Sequence, residues 1–565
     1  MLQFQLISGL EKIFADTKPQ KWQKPELSGL YGETLSFQIA YYGDDTPRNH
    51  EQREICLKIK SPLQAEMNYR LVGLVPSNFP AFAEVDENYI TDKPGLFPDV
   101  LLPISPRLGK IERTEESVEI WLRLSPRQWR ALWIDIELNT SLRAGVYPIE
   151  AAVYDHEGRE LWQDSLAIEV IPAVLPKQKL LHTEWFHADC LADYYGVPVF
   201  SERHWQIMEN FVKTMVKHGI NTLLTPIFTP PLDTMVGGER TTVQLVGVIA
   251  DRAGYRFDFS RLEQWLEMAF GSGIEYIEIS HLFSQWGAKY APKIMAEKDG
   301  KLQKIFGWEN EATGQEYQNF LHAFLPELTT FLEAKGLKQQ VIFHISDEPH
   351  SGDVESYMKA KNSIKELLHD YYTMDALSTF EIYQSGIIEH PVVATDHIQP
   401  YLDNQVEGLW AYYCCSQKLK VANRFMAMPS ARNRILGVQL YKYNIKGFLH
   451  WGYNFYNSQF SLEKIDPYFV TDAGEAFPSG DAFLVYPGEN GQVIESIRLM
   501  VLSQAIQDLR AFQLLESLAG KDLVMKLIEG DLDKPIRFDE YPKTKEYLLE
   551  LRAKVNQEIK QRIAD

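Results

Sequence analysis

Between residues 180 and 451, strand-like runs take turns with helical ones, and this alternation constrains the fold more than any other feature. The strand-like runs are 180–186, 220–226, 275–280, 341–345, 376–378, 392–396, 408–413 and 446–451, with helical patterns at about 203–218, 260–271, 315–334, 353–368 and 430–443. Such alternation builds a parallel α/β domain. About eight strands over this length match a (β/α)8 TIM-type barrel, which typically takes ~250 residues. The run Val341-Ile-Phe-His-Ile-Ser-Asp-Glu-Pro-His350 carries the most information. Its first five residues, mostly apolar, β-branched or aromatic, read as a buried strand. It stops at two adjacent carboxylates, Asp347 and Glu348, and Pro349 ends any ladder pairing. Barrel enzymes present their reactive groups where strands end and the following loops begin.

The flanking regions have a different texture. Residues 34–42, 55–59, 118–124 and 131–138 alternate in polarity, with turn signals at 43–45, 94–95 and 143–145. Short strands separated by turns predict an antiparallel β-sandwich. Pro172 and Pro176 then stiffen a linker. Beyond Asn454 lies an irregular stretch, followed by helical patterns at about 494–518, 521–529 and 544–563. The expected fold class is therefore α/β with an all-β N-terminal domain. It comprises a sandwich over 1–176, a catalytic barrel over 177–456 and a mostly helical region over 457–565. A length of 565 residues agrees with several domains.

The predicted strand ends hold polar and aromatic residues where packing would favour Val or Ile. Trp185, His187, His281, Trp286, Tyr383, Tyr412, Trp451 and Asn454 are the candidates for substrate binding. A pocket rimmed by Trp and Tyr suits a sugar, whose C–H faces stack on rings while its hydroxyls find polar partners. Glycoside hydrolysis usually needs two carboxyl groups on opposite sides of the ring. Adjacent residues have Cα atoms only ~3.8 Å apart, so Asp347 and Glu348 flank a ring from both faces only if the chain turns sharply between them. The pair fits the substrate-assisted variant better, in which a 2-acetamido oxygen of the substrate attacks the anomeric carbon. Asp347 then orients the acetamido group and Glu348 serves as general acid/base. Repulsion between two close carboxylates favours keeping one protonated. The bland alternative makes Asp347 a cap for the following helix, with Glu348 and Pro349 near its first turn.

These residues resemble glycoside hydrolase family 123, the β-N-acetylgalactosaminidases and their wider relatives. Gly32-Glu33 with Ser36-Phe-Gln38, Pro94-Gly-Leu-Phe-Pro-Asp-Val-Leu-Leu-Pro103, the strand ending in Asp347-Glu348-Pro349, and Gly447-Phe-Leu-His-Trp451 with Gly480-Asp481, Tyr486-Pro-Gly488 and Ser496-Ile-Arg498 carry the likeness. The resemblance implies cleavage of a β-linked N-acetylhexosamine, in the first place N-acetylgalactosamine, with retention through an oxazoline intermediate and without a cofactor. The chain departs from the family pattern at Phe455 and Tyr456, where a further Trp is expected, and at Ala482 in place of Gly.

The resemblance implies an oligosaccharide or glycoconjugate as the partner, and composition speaks against two other classes. A net charge of −20 argues against nucleic acid and anionic membranes. The N-terminal residues show no basic region ahead of an apolar stretch, and Cys56, Cys190, Cys414 and Cys415 are too sparse for a disulfide framework. A cytoplasmic location is the expectation, with Cys414 and Cys415 as reduced thiols. Two competing functions remain open at this level. One is a metal-dependent barrel hydrolase using His187, His281, His344, Asp347 and Asp396, although the first strand has no His-x-His and the chain has no His-Glu-x-x-His. The other is a glycan-binding protein without turnover, which would have no need of an adjacent acid pair. The dipeptide Asp396-His397 reads more simply as a loop brace.

Overall fold

A computed structural model describes residues 2–44, 54–106, 108–114, 117–349 and 352–564. Asp45, which closes the turn expected at 43–45, and His350 lie outside the described residues. The chain forms two compact units. One comprises 1–178, 422–442 and 494–565, and the other 179–421 and 443–493.

The first unit is all-β at its N-terminal end. A five-stranded antiparallel sheet runs in the order Leu2–Ser8, Glu33–Gly43, Arg130–Leu138, Glu66–Ser77, Gly95–Pro103. A six-stranded sheet contains Glu26–Tyr31, Glu160–Val174, Gly145–Tyr154, Glu54–Lys60, Val118–Arg123 and Gly109–Arg113 in that order. Its pairing is not wholly antiparallel, because Glu26–Tyr31 runs parallel to Glu160–Val174. Apolar residues of both sheets share one core, with Phe37, Ile39 and Ile134 from the first meeting Leu57, Ile120 and Ile168 from the second.

The partition expected from sequence, with 457–565 as a separate region, differs from this division. The helices Ile497–Ala519, Lys521–Glu529 and Lys545–Ala564 belong with the β-sheets, as do Ser430–Arg434 and Leu436–Lys442. Buried ion pairs explain why. Arg498 donates from Nε and one Nη to both oxygens of Asp99, each at 2.8 Å, and both side chains are fully buried. Arg552 reaches Glu33 and Asp508, and Asp508 also accepts from Arg434 at 2.7 and 2.9 Å. These long-range charge pairs leave no trace in local polarity patterns.

The second unit holds a closed barrel of eight parallel strands: Leu181–Glu184, Thr222–Thr225, Tyr276–Ile279, Val341–His344, Tyr372–Leu377, Pro391–Ala394, Trp410–Tyr412 and Gly447–His450. The first and last pair in parallel from Leu181 and Gly447 to Glu184 and His450, which closes the ring. Every strand overlaps one expected from sequence, although the fifth, expected at 376–378, begins four residues earlier at Tyr372. A four-stranded sheet was not expected. It forms in the loops after the second and third barrel strands, from Gly247–Asp251, Gly254–Asp258, Ile294–Lys298 and Lys301–Phe306. Asp299 and Gly300, with φ of 54° and 73°, make its tight turn, and an Asp-Gly pair with both φ positive is a hairpin signal.

Removing one partner of a buried pair leaves an uncompensated charge. Asp99→Ala is therefore expected to lower the unfolding free energy by about 3–5 kcal/mol in urea titrations. A loss below about 1 kcal/mol, the scale of an exposed pair, contradicts this view of the Arg498–Asp99 contact.

Candidate active site

The carboxylate pair sits where the fourth barrel strand ends, and its loop is pinned from both sides. The Ser346 N–H donates to Asp375 on the fifth strand at 2.7 Å, and the Ser346 hydroxyl to the Ser284 carbonyl at 2.9 Å. The Trp286 N–H donates to the Asp347 carbonyl at 2.9 Å. Asp375 is held in turn by the Tyr357 hydroxyl. The chain then turns sharply, with Glu348 in the left-handed region at φ 42°. That conformation costs a non-glycine residue ~1–2 kcal/mol. Asp233, Trp286 and Phe460 also have positive φ, at 38°, 55° and 59°, and they line the same cavity as Asp347 and Glu348. Strained backbone of this kind clusters at active sites and ligand clamps.

The cavity holds about 440 Å³, within the ~300–1,000 Å³ common for small-molecule sites. Of the residues singled out in the sequence, Asp347, Glu348, Trp185, Trp286, Tyr412 and Trp451 line it. Trp286 is 36% exposed and meets Phe460 edge-on at 6.3 Å. The Trp451 indole N–H donates to Asp481 at 2.9 Å, and Phe455 and Phe477 flank its ring. The Trp185 indole N–H donates to Glu278 at 2.9 Å.

Four expected residues do not line the cavity. His187 and Asn454 clasp each other through two backbone-to-amide bonds of 2.9 and 3.0 Å. The His187 ring also bonds the Trp451 carbonyl at 2.9 Å and Arg240 at 3.1 Å. They brace Trp451 and do not face the cavity. Burial, reinforced by the Arg240 charge, pushes the His187 pKa down to about 3. Tyr383 packs on Phe380 and Tyr401 instead. His281 is buried behind Trp185, ring to ring at 5.0 Å. His397 and Asp396 bond each other at 2.8 Å, and Asp396 also accepts from Gln417, as a loop brace does.

Sequence reasoning missed Gln285 and Asp233. Gln285 joins them to the acid pair: its Nε2 donates to Asp347 at 2.7 Å, and its Oε1 accepts from the Asp233 N–H at 2.6 Å. Both lie in loops without periodicity, and only their closeness to Trp286 and to Pro230-Pro231 marked these loops at all. Cys414 and Cys415 form no disulfide among the described residues and also line the cavity.

Burial pushes the Asp347 carboxyl up to about 7, and the Glu348 charge adds to the shift, against His344 and the Gln285 hydrogen bond. The Tyr412 hydroxyl donates to Glu348 and contacts Ser378 at 3.3 Å. Burial, with the Glu348 charge, holds that phenol well above its ordinary pKa, so it stays a donor. Behind the pair, the His344 Nδ1 meets Glu278 at 3.0 Å. Burial disfavours a charge on His344, but Glu278 outweighs it and raises its pKa; burial and the His344 charge push His281 well below its usual value.

Residues 185–515 match the model of the glycoside hydrolase 123 catalytic domain, and this is more than half of the chain. The site thus belongs to a glycoside hydrolase. The chain is a member of glycoside hydrolase family 123. Among solved structures, a family 123 glycoside hydrolase from Clostridium perfringens, described as hydrolysing glycolipid glycans, is 16% identical with a TM-score of 0.71. The match covers 100% of this chain and 98% of that one, and it supports the general layout of the fold. A β-glucuronidase from Bacteroides uniformis is 11% identical over 87% of this chain and 51% of its own, with a TM-score of 0.28. The major pilin subunit of Bacillus cereus is 8% identical over 34% and 44%, with a TM-score of 0.17. Neither of these two carries an argument. No curated protein matches the sequence.

The Gln285 hydrogen bond favours the ionised form of Asp347. Gln285→Leu is expected to raise the Asp347 titration midpoint above about 7, followed by carboxyl NMR. A midpoint that stays put or falls contradicts this role.

Proposed function

We propose that this enzyme cleaves terminal β-linked N-acetylhexosamine, in the first place N-acetylgalactosamine, with retention and by substrate-assisted catalysis. The observation that carries the reading is the adjacent pair Asp347–Glu348 in one aromatic-lined cavity, with burial and the Glu348 charge holding the Asp347 carboxyl up at about 7. Burial and the neighbouring Glu348 charge favour a proton on Asp347 in the free enzyme. An acetamido N–H donating to Asp347 stabilises its ionised form, and the proton then resides on Glu348. The acetamido oxygen attacks the anomeric carbon, Glu348 protonates the leaving oxygen, and an oxazoline forms. Water then opens the oxazoline with Glu348 as base, restoring the original configuration. Trp286 and Trp451 offer faces for the sugar ring. The same reading takes the facing sheets as a β-sandwich and the barrel as TIM-type. Glycolipid glycans, the substrates named for the Clostridium perfringens relative, enter as candidates. A cytoplasmic location remains part of the proposal and implies small imported saccharides.

One observation favours a second reading. Asp233 lines the same cavity, and burial pushes its carboxyl up to about 6. In that reading Asp233 supplies a protein nucleophile or base, and Asp233→Asn abolishes turnover of every substrate.

Glu348→Gln is expected to lower kcat on a substrate with a poor leaving group by roughly 10²–10⁴-fold, the usual worth of a general acid. An activated aryl glycoside, which needs no proton, should recover much of that loss at the glycosylation step. Asp347→Asn should show no such recovery. Because the pair works with one proton, and that proton leaves as pH rises through about 7, kcat/KM should fall across that range. A kcat/KM that rises there, or full activity in both variants, refutes the assignment.

A further inference from the structure

His281, His344 and Asp347 each place one donor atom within 4.8 Å of the others, and all three are buried, at 1%, 0% and 6% exposure. Both ring nitrogens of His281 lack a hydrogen-bond partner among the described residues, as does Nε2 of His344. Buried polar atoms are nearly always satisfied, so three such nitrogens in one place call for a ligand. His344 is already oriented for one. Glu278 faces its Nδ1 at 3.0 Å, which leaves the Nε2 lone pair outward. Glu278 is itself fixed by the Thr183 hydroxyl at 2.6 Å and the Trp185 indole at 2.9 Å. A carboxylate behind an imidazole is the usual support of a metal-bound histidine.

From this geometry we infer a divalent-cation site formed by His281, His344 and Asp347 behind Trp185. Two imidazoles and one carboxylate suit a borderline first-row ion of the Zn²⁺ class rather than Mg²⁺ or Ca²⁺, which take mainly oxygen ligands. Three atoms within 4.8 Å of one another lie at most ~2.8 Å from a common centre, so the side chains close by less than ~1 Å to reach metal–nitrogen distances of ~2.0–2.1 Å. The ion takes an oxygen of Asp347, whose carboxylate orients the acetamido group in the proposed reaction. It therefore inhibits the enzyme, and a chelator reverses the inhibition. Inhibition rests on that proposed role for Asp347. Binding does not.

The test is equilibrium dialysis of the full chain against Zn²⁺, and against Co²⁺ with its visible spectrum recorded. The expected result is one ion per chain, with a low-coordinate Co²⁺ band free of thiolate charge transfer. Binding should be lost in His281→Asn and Asp347→Asn, and weakened roughly 10–100-fold in Glu278→Gln, the usual cost of removing such support. Glu278→Gln preserves shape and guards against misfolding of the histidine variant. Absence of Zn²⁺ binding by the wild type, or binding undiminished in Asp347→Asn, overturns the site. So does binding that vanishes only in Cys414→Ser. Zn²⁺ bound at the trio by a protein inactive on acetamido sugars keeps the site and rejects the proposed reaction.

Discussion

Asp347 and Glu348 are consecutive residues lining one cavity, with Asp347 buried, and both carboxyls cannot be charged there at low cost. Much of the surrounding structure answers that constraint. Gln285 donates to one carboxyl and Tyr412 to the other, while His344, held by Glu278, lies behind Asp347 and opposes the upward shift of its carboxyl. The chain takes a left-handed turn at Glu348, before the following helix. Bonds from the third and fifth strand ends hold that turn in place.

The strain gathers in the loops and not in the barrel. Asp233, Trp286, Glu348 and Phe460 come from four separate loops, each bent at a positive φ. The barrel strands are buried and regular, so they can carry these unfavourable turns as fixed ends. The first unit depends on the same kind of enforcement by other means, where Arg498, Arg552 and Arg434 bind buried carboxylates far away in sequence.

The barrel was legible because most of its strands are short, largely apolar runs between turn signals, and buried parallel strands look like that. The acid pair stood out because two charges end such a run. The side sheet was passed over although Asp299-Gly300 carries a hairpin signal, because few of its strand residues are buried, with Lys301, Leu302, Gln303 and Lys304 all facing solvent. His187 and Asn454 looked like binding residues because they sit at strand ends, yet each uses its polar atoms on the other and on the Trp451 loop. Local sequence does not distinguish a polar group facing a cavity from one bracing the wall. Gln285 and Asp233 were hidden for the opposite reason, since loop residues have no period to break.

Hydrolysis of paired aryl glycosides is the most direct test of the central claim: β-N-acetylgalactosaminide and β-N-acetylglucosaminide against the β-galactoside and β-glucoside that lack the acetamido group. Substrate assistance predicts cleavage confined to the acetamido sugars, with the preferred one identifying the natural residue. Comparable cleavage of the plain hexosides would place the nucleophile on the protein and contradict the role given to Asp347.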